Sequence, residues 1–105
     1  MNQREAVIVA YGRSAVTKAY KGGFSTVHPV TYGAETLKGV LAKIPQLDPK
    51  EIDDVIVGCA NPEGTQGWKM ARLITQMAGL PKETAAQTVN RFCSSGLQTL
   101  SLIHI

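Results

Sequence analysis

Ala85-Ala86-Gln87-Thr88-Val89-Asn90-Arg91-Phe92-Cys93-Ser94-Ser95-Gly96-Leu97-Gln98 is the stretch on which the fold turns. Residues 85–89 are compact enough to enter a sheet, whereas Ser94 and Ser95 are residue types that open helices. Cys93 therefore falls at a strand-to-helix junction, beside a helix N-terminus. Unpaired N–H groups and the positive end of the helix dipole favour an anion there, whether a thiolate or the oxyanion that a thiolate creates on a carbonyl. Gly96 has no Cβ, which lets a bulky acyl group approach the backbone. Cys93 is thus the candidate nucleophile. The structural alternative is a small buried hydrophobe, the ordinary state of a free cysteine.

Upstream, Val55-Ile56-Val57-Gly58-Cys59 is a continuous apolar run, the pattern of a strand covered on both faces. Cys59 reads as inert filler at its end. Met70, Ile74 and Met77, flanked by Ala71 and Leu73, have helical spacing, and the methionines read as core packing. Gly79 should end that helix, Leu80 fold back onto it and Pro81 prevent its resumption. Trp68 is a candidate wall of an acyl pocket. Arg72 faces a solvated or salt-bridged surface, or alternatively a phosphate or a partner subunit.

Further back, Ala6-Val7-Ile8-Val9-Ala10 reads as another buried strand, and residues 11–28 as a long surface loop carrying Arg13, Lys18 and Lys21. Val30, Ala34, Leu37, Leu41 and Ile44 recur at helical spacing, so a helix is expected over residues 30–43, stopped by Pro45. Asp48-Pro49-Lys50-Glu51 has a capping residue, a proline and a glutamate in the order that starts a helical turn. Asp53 and Asp54 read as a solvated edge. The order strand, helix, strand, helix, strand, helix implies an α/β fold with a mainly parallel sheet and helices on both faces. Ligands in such sheets gather at the carboxyl ends of strands, where Cys93 lies.

Composition sets outer bounds. With 105 residues, 44% hydrophobic and 18% charged, the chain is at most one domain of ordinary globular character. Eleven Lys and Arg against eight Asp and Glu give a net charge of +3 without any basic run, too weak to argue for nucleic acid, and no nucleic-acid partner is expected. The first apolar run is too short for a signal-peptide core or a membrane span, so a cytoplasmic protein is expected. Cys59 and Cys93 have no metal-ligand spacing and no close pairing, so neither a metal site nor a disulfide framework is expected.

Asn90-Arg91-Phe92-Cys93-Ser94-Ser95-Gly96-Leu97-Gln98 resembles the nucleophile segment of the thiolases, the acyl-CoA C-acyltransferases. Glu5-Ala6-Val7-Ile8-Val9-Ala10 resembles their first strand. Gly58-Cys59-Ala60-Asn61-Pro62-Glu63 and Gln66-Gly67-Trp68-Lys69-Met70-Ala71-Arg72 resemble the loop and helix before the nucleophile, and lean toward the 3-ketoacyl-CoA thiolase branch. Ala78-Gly79-Leu80-Pro81 resembles the helix exit. Two positions depart from the pattern: Arg13-Ser14-Ala15 stands where Arg-Thr-Pro is common, and Lys69 where asparagine is frequent. The resemblance implies an incomplete thiolase-like βαβαβα unit in which Cys93 forms an acyl-enzyme, its backbone N–H assisting the oxyanion. It implies coenzyme A as substrate or product with no covalently bound cofactor, and a homodimer or homotetramer in the full-length enzyme. Thr88 and Val89 are candidates for that subunit contact.

The family's activating histidine and second cysteine match no residue here, so this chain alone is expected to be inactive. His28 is taken as a loop residue. Residues 1–99 read as the N-terminal part of a thiolase N-terminal domain. Leu100-Ser101-Leu102-Ile103-His104-Ile105 resembles the translation of a transposase mosaic-end adapter, and residues 100–105 are expected to be a non-native tail. Along one helix His104 would stand about 16 Å from Cys93, too far to serve as its base. A ketosynthase fits less well, since those enzymes usually approach the cysteine through Thr-Ala-Cys. The alternatives of another class are a noncatalytic acyl-CoA-binding or thiol-based redox-sensing module, and a purely structural domain.

Overall fold

The computed structural model describes residues 4–103. Helix α1 (Pro29–Ala42) opens with a proline whose fixed φ suits the first helical turn. His28 is its N-cap, with Nδ1 accepting a hydrogen bond from the Val30 N–H at 3.2 Å. The loop histidine of the sequence reading is therefore a capping residue. A short 3-10 turn (Pro49–Glu51) follows, capped by Asp48, whose Oδ1 accepts from the Lys50 N–H at 3.0 Å. Strand β1 (Asp54–Gly58) pairs in parallel with β2 (Ala85–Val89), Asp54 opposite Ala85 through to Gly58 opposite Val89. Between them lie a 3-10 turn (Gly64–Gln66) and α2 (Met70–Met77), and α3 (Ser95–Leu102) follows β2.

Alternation along the strands places the helices. Val57 packs against Val30, Cys59, Met70 and Ile74, the core shared with α1 and α2. Its register partner Thr88 accepts a hydrogen bond from the Ala71 N–H at 2.9 Å, satisfying a donor in the first turn of α2 that Lys69 leaves uncapped. The next residue, Gly58, faces the opposite side, where it abuts the first turn of α3. The small parallel sheet thus has helices on both faces, as expected. Among the described residues no helix is long and apolar enough to cross a membrane.

The C-terminus of α2 is closed as the sequence implied. Gly79 has φ 83°; its N–H donates to Gln76 O at 3.1 Å, and the Leu80 N–H donates to Thr75 O at 3.1 Å. That is a Schellman closure, and Leu80 is buried beneath it. Gly79→Ala should lower stability by about 1 kcal/mol, because a Cβ opposes the left-handed conformation. The expected signal is a lower urea midpoint at unchanged slope; an unmoved midpoint would contradict this account of the helix stop.

Three expectations are corrected. Residues 6–10 form no strand: they are irregular and largely exposed, Val7, Ile8 and Val9 at 72%, 79% and 70%. An apolar run encodes the tendency to extend, but a strand exists only through ladder bonds and cover. Among the described residues those bonds join β1 and β2 alone. Met77 is not core but 51% exposed. The buried arc of α2 runs over Met70, Ile74, Ala71 and Thr75, and at roughly 100° per residue its centre lies about 90° away from Met77. Arg72 is half-buried and, among the described residues, bonded to backbone carbonyls rather than to a carboxylate. Its Nη1 and Nη2 donate to the carbonyls of Thr84 and Lys82, both at 2.6 Å, tying α2 to the segment that enters β2.

Candidate functional site

At the carboxyl end of β2 the chain reverses through Asn90, Arg91 and Phe92 before α3 begins. Asn90 Oδ1 accepts a hydrogen bond from the Phe92 N–H at 2.9 Å, a local turn for which asparagine is well suited. Phe92 has φ 48°, in the left-handed region that aromatic residues rarely adopt. Its ring is 74% exposed, so hydrogen bonds rather than side-chain packing hold that conformation. The Phe92 carbonyl accepts from the Ser95 N–H at 3.1 Å and from Ser95 Oγ at 2.7 Å. Ser95 Oγ in turn accepts from the Arg91 N–H at 2.8 Å. Arg91 itself is engaged sideways, Nη1 donating to Gln98 Oε1 at 2.6 Å.

Cys93 stands at the crest of this turn, exposed, one residue before the N-cap Ser94. The N–H groups of Cys93, Gly96 and Leu97 have no acceptor among the described residues. The exposed Cys93 thus lies in a turn with free backbone donors at the positive end of a helix, a setting that suits a developing oxyanion. Cys59, by contrast, is buried in the core, the inert position expected for it.

The seat of the turn is Gly58. A Cβ placed there would lie 2.7 Å from the Ser95 carbonyl carbon and 2.8 Å from Gly96 N and Ser95 O. The first turn of α3 thus rests directly on the end of β1. Other sequence candidates are not gathered here. Trp68, 94% exposed, borders an open cavity of about 610 Å³ with Lys69, Arg72, Lys82 and Thr88, which does not include Cys93. Thr88 directs its hydroxyl to α2, and His28 to α1. His104 lies outside the described residues.

Sequence reading passed over Ser95 and Gly58 as working parts of the site. Asn90 carried a usable signal, since asparagine two residues before a constrained N–H is a common turn device. Ser95 carried only a helix-start signal, and Gly58 only that of a strand end. Their contact joins residues far apart in the chain.

The family model for the N-terminal domain of thiolases matches residues 6–104. A 3-ketoacyl-CoA thiolase of Bacillus subtilis is 49% identical over 98 residues, which are 93% of this chain and 25% of that protein. The 3-ketoacyl-CoA thiolase of Stutzerimonas stutzeri is 38% identical over 100 residues, 95% of this chain and 26% of the relative. That of Shewanella oneidensis is 41% identical over 97 residues, 92% and 25% respectively. The chain spans about a quarter of the length of these curated relatives. With a parallel sheet covered on both faces and a family match along nearly its whole length, this chain belongs to the thiolase family.

Proposed function

We propose that this chain supplies the nucleophile of a thiolase-type acyl-CoA C-acyltransferase, and that Cys93 is that nucleophile. The observation that carries the reading is an exposed cysteine just past the end of β2, one residue before the N-cap of α3, in a turn whose Cys93, Gly96 and Leu97 N–H groups have no acceptor among the described residues. The sulfur attacks the carbonyl of an acyl-CoA or a 3-ketoacyl-CoA, and the tetrahedral oxyanion is held by backbone donors. Collapse leaves an acyl thioester on Cys93. A second thiol or a carbon nucleophile then takes the acyl group. The names of the relatives favour 3-ketoacyl-CoA as the substrate class. On this reading coenzyme A is substrate or product, and no cofactor is covalently bound. We place the activity in the cytoplasm, in a full-length homodimer or homotetramer. The chain alone is inactive as a catalyst, because no residue here matches the family's proton-moving histidine and second cysteine; an acyl group that Cys93 takes up stays on it.

Acyl trapping tests this. After incubation with acetyl-CoA and acid quenching, peptide mapping is expected to show one acetyl group on the Cys93 peptide. Cys59 should carry none, and hydroxylamine should remove the label. Acetyl groups on Cys59 to the same extent would contradict the reading, as would none on a Cys93 that still alkylates. Tight binding of coenzyme A without transfer would favour a noncatalytic binding module.

A further inference from the structure

Resting on the reading of Cys93 as the acyl acceptor, we propose that Ser95 is a positioning residue for it. Through its hydroxyl Ser95 locks the turn that aims the Cys93 N–H and sulfur at the same carbonyl. Ser95 is 4% exposed, in a turn whose other members, residues 90–94, are all exposed. Its Oγ accepts from the Arg91 N–H at 2.8 Å and donates to the Phe92 carbonyl at 2.7 Å. These bonds clamp the residues immediately before Cys93 from both sides. They bracket Phe92, whose φ of 48° is unfavourable for a side chain and has no ring packing to sustain it. Asn90 Oδ1 holds Phe92 from its N–H side, at 2.9 Å from Phe92 N. Relaxation of Phe92 toward ordinary φ values would rotate the following peptide, the one that bears the Cys93 N–H.

The consequence is specific to one kind of chemistry. In acyl transfer the sulfur bonds to a carbonyl carbon, negative charge develops on the oxygen, and an N–H fixed near it lowers the barrier. In alkylation by iodoacetamide the sulfur bonds to a methylene carbon as iodide leaves, and no oxyanion forms. Both reactions release the thiol proton to buffer. Loss of the Ser95 clamp should slow the first and spare the second.

The test uses this chain with p-nitrophenyl acetate, whose acetyl group moves to Cys93 as p-nitrophenolate departs, and with iodoacetamide in parallel. The ratio of the two rates is compared with that of an unfolded peptide spanning residues 88–98. The folded wild-type chain should exceed the peptide's ratio by about tenfold, below the roughly 10²–10³ that a fully preorganised donor contributes. Ser95→Ala should bring the ratio down to the peptide's, with the circular dichroism of the fold retained. Ser95→Thr, which keeps the hydroxyl, should restore it. Trimethylamine N-oxide, which favours burial, keeps a destabilised variant folded during the assay. A high wild-type ratio unchanged in a folded Ser95→Ala chain overturns the positioning role while leaving Cys93 as nucleophile. A wild-type ratio no higher than the peptide's overturns both.

Discussion

Replacing Cys93 by serine is expected to lower kcat/KM for 3-ketoacyl-CoA thiolysis by on the order of 10⁴-fold or more, in a full-length thiolase that carries this segment in place of its own. A free thiol is already a few per cent ionised at neutral pH and intrinsically very nucleophilic, whereas an alcohol in the same place is essentially un-ionised and needs a stronger base. A 10⁴-fold loss corresponds to about 5.5 kcal/mol of transition-state stabilisation. On the proposed role of Cys93, the whole effect is expected in the chemical step. Cys93 is exposed and its side chain makes no hydrogen bond among the described residues, so stability and substrate affinity should change little. Cys59→Ser is the informative comparison. Cys59 is 7% exposed within the core of Val30, Met70 and Ile74, so a hydroxyl there should cost roughly 1–3 kcal/mol of stability. Its kcat should stay within a few-fold of wild type in the folded enzyme. If Cys93→Ser kept a tenth of the activity, or Cys59→Ser lost as much as Cys93→Ser, the assignment of the nucleophile would fail.

Gly58→Ala is expected to destabilise this chain by about 2–3 kcal/mol, near the upper part of the range for overpacking. The added methyl would sit 2.7 Å from the Ser95 carbonyl carbon and 2.8 Å from Gly96 N. Both are backbone atoms, so no side-chain rotation relieves the overlap. Either α3 lifts from the sheet or β1 shifts against β2. In both cases the turn carrying Cys93 moves, and its acylation by p-nitrophenyl acetate should slow along with the loss of stability. Gly39→Ala is the counterpart: it lies inside α1 with nothing within 4 Å of the added Cβ, and should stabilise by about 0.5–1 kcal/mol through better helix propensity. Urea midpoints of the two variants moving in opposite directions would bear this out. A Gly58→Ala midpoint equal to wild type would show that α3 does not rest on β1.

Much of the site was legible because it is local. Asn90, Cys93 and Ser94 lie within one strand-to-helix turn, and the residue types that build such a turn also advertise it. The stop of α2 was equally plain: a left-handed residue, a buried leucine and a proline follow one another at Gly79, Leu80 and Pro81. What failed was any reading that needed to know which surface faces which. Periodicity announced an apolar stripe on α2 but not its rotation, so Met77 was placed inside and Thr75 was overlooked. The run at residues 6–10 has strand composition, yet pairing is a property of two segments and cannot be read from one.

The sequence by itself determined the alternation of helices and strands from residue 29 onward, the caps at Asp48 and Gly79, the placing of Cys93 at a helix start, and the family to which that pattern belongs. These follow from short-range rules, since caps, turns and propensities act over a few residues. Only the tertiary structure decided that Thr88 would cap α2, that Arg72 would hold the approach to β2, and that Ser95 would be buried beside Gly58. Each of those contacts joins residues from separate elements, at distances fixed only when the sheet and helices pack.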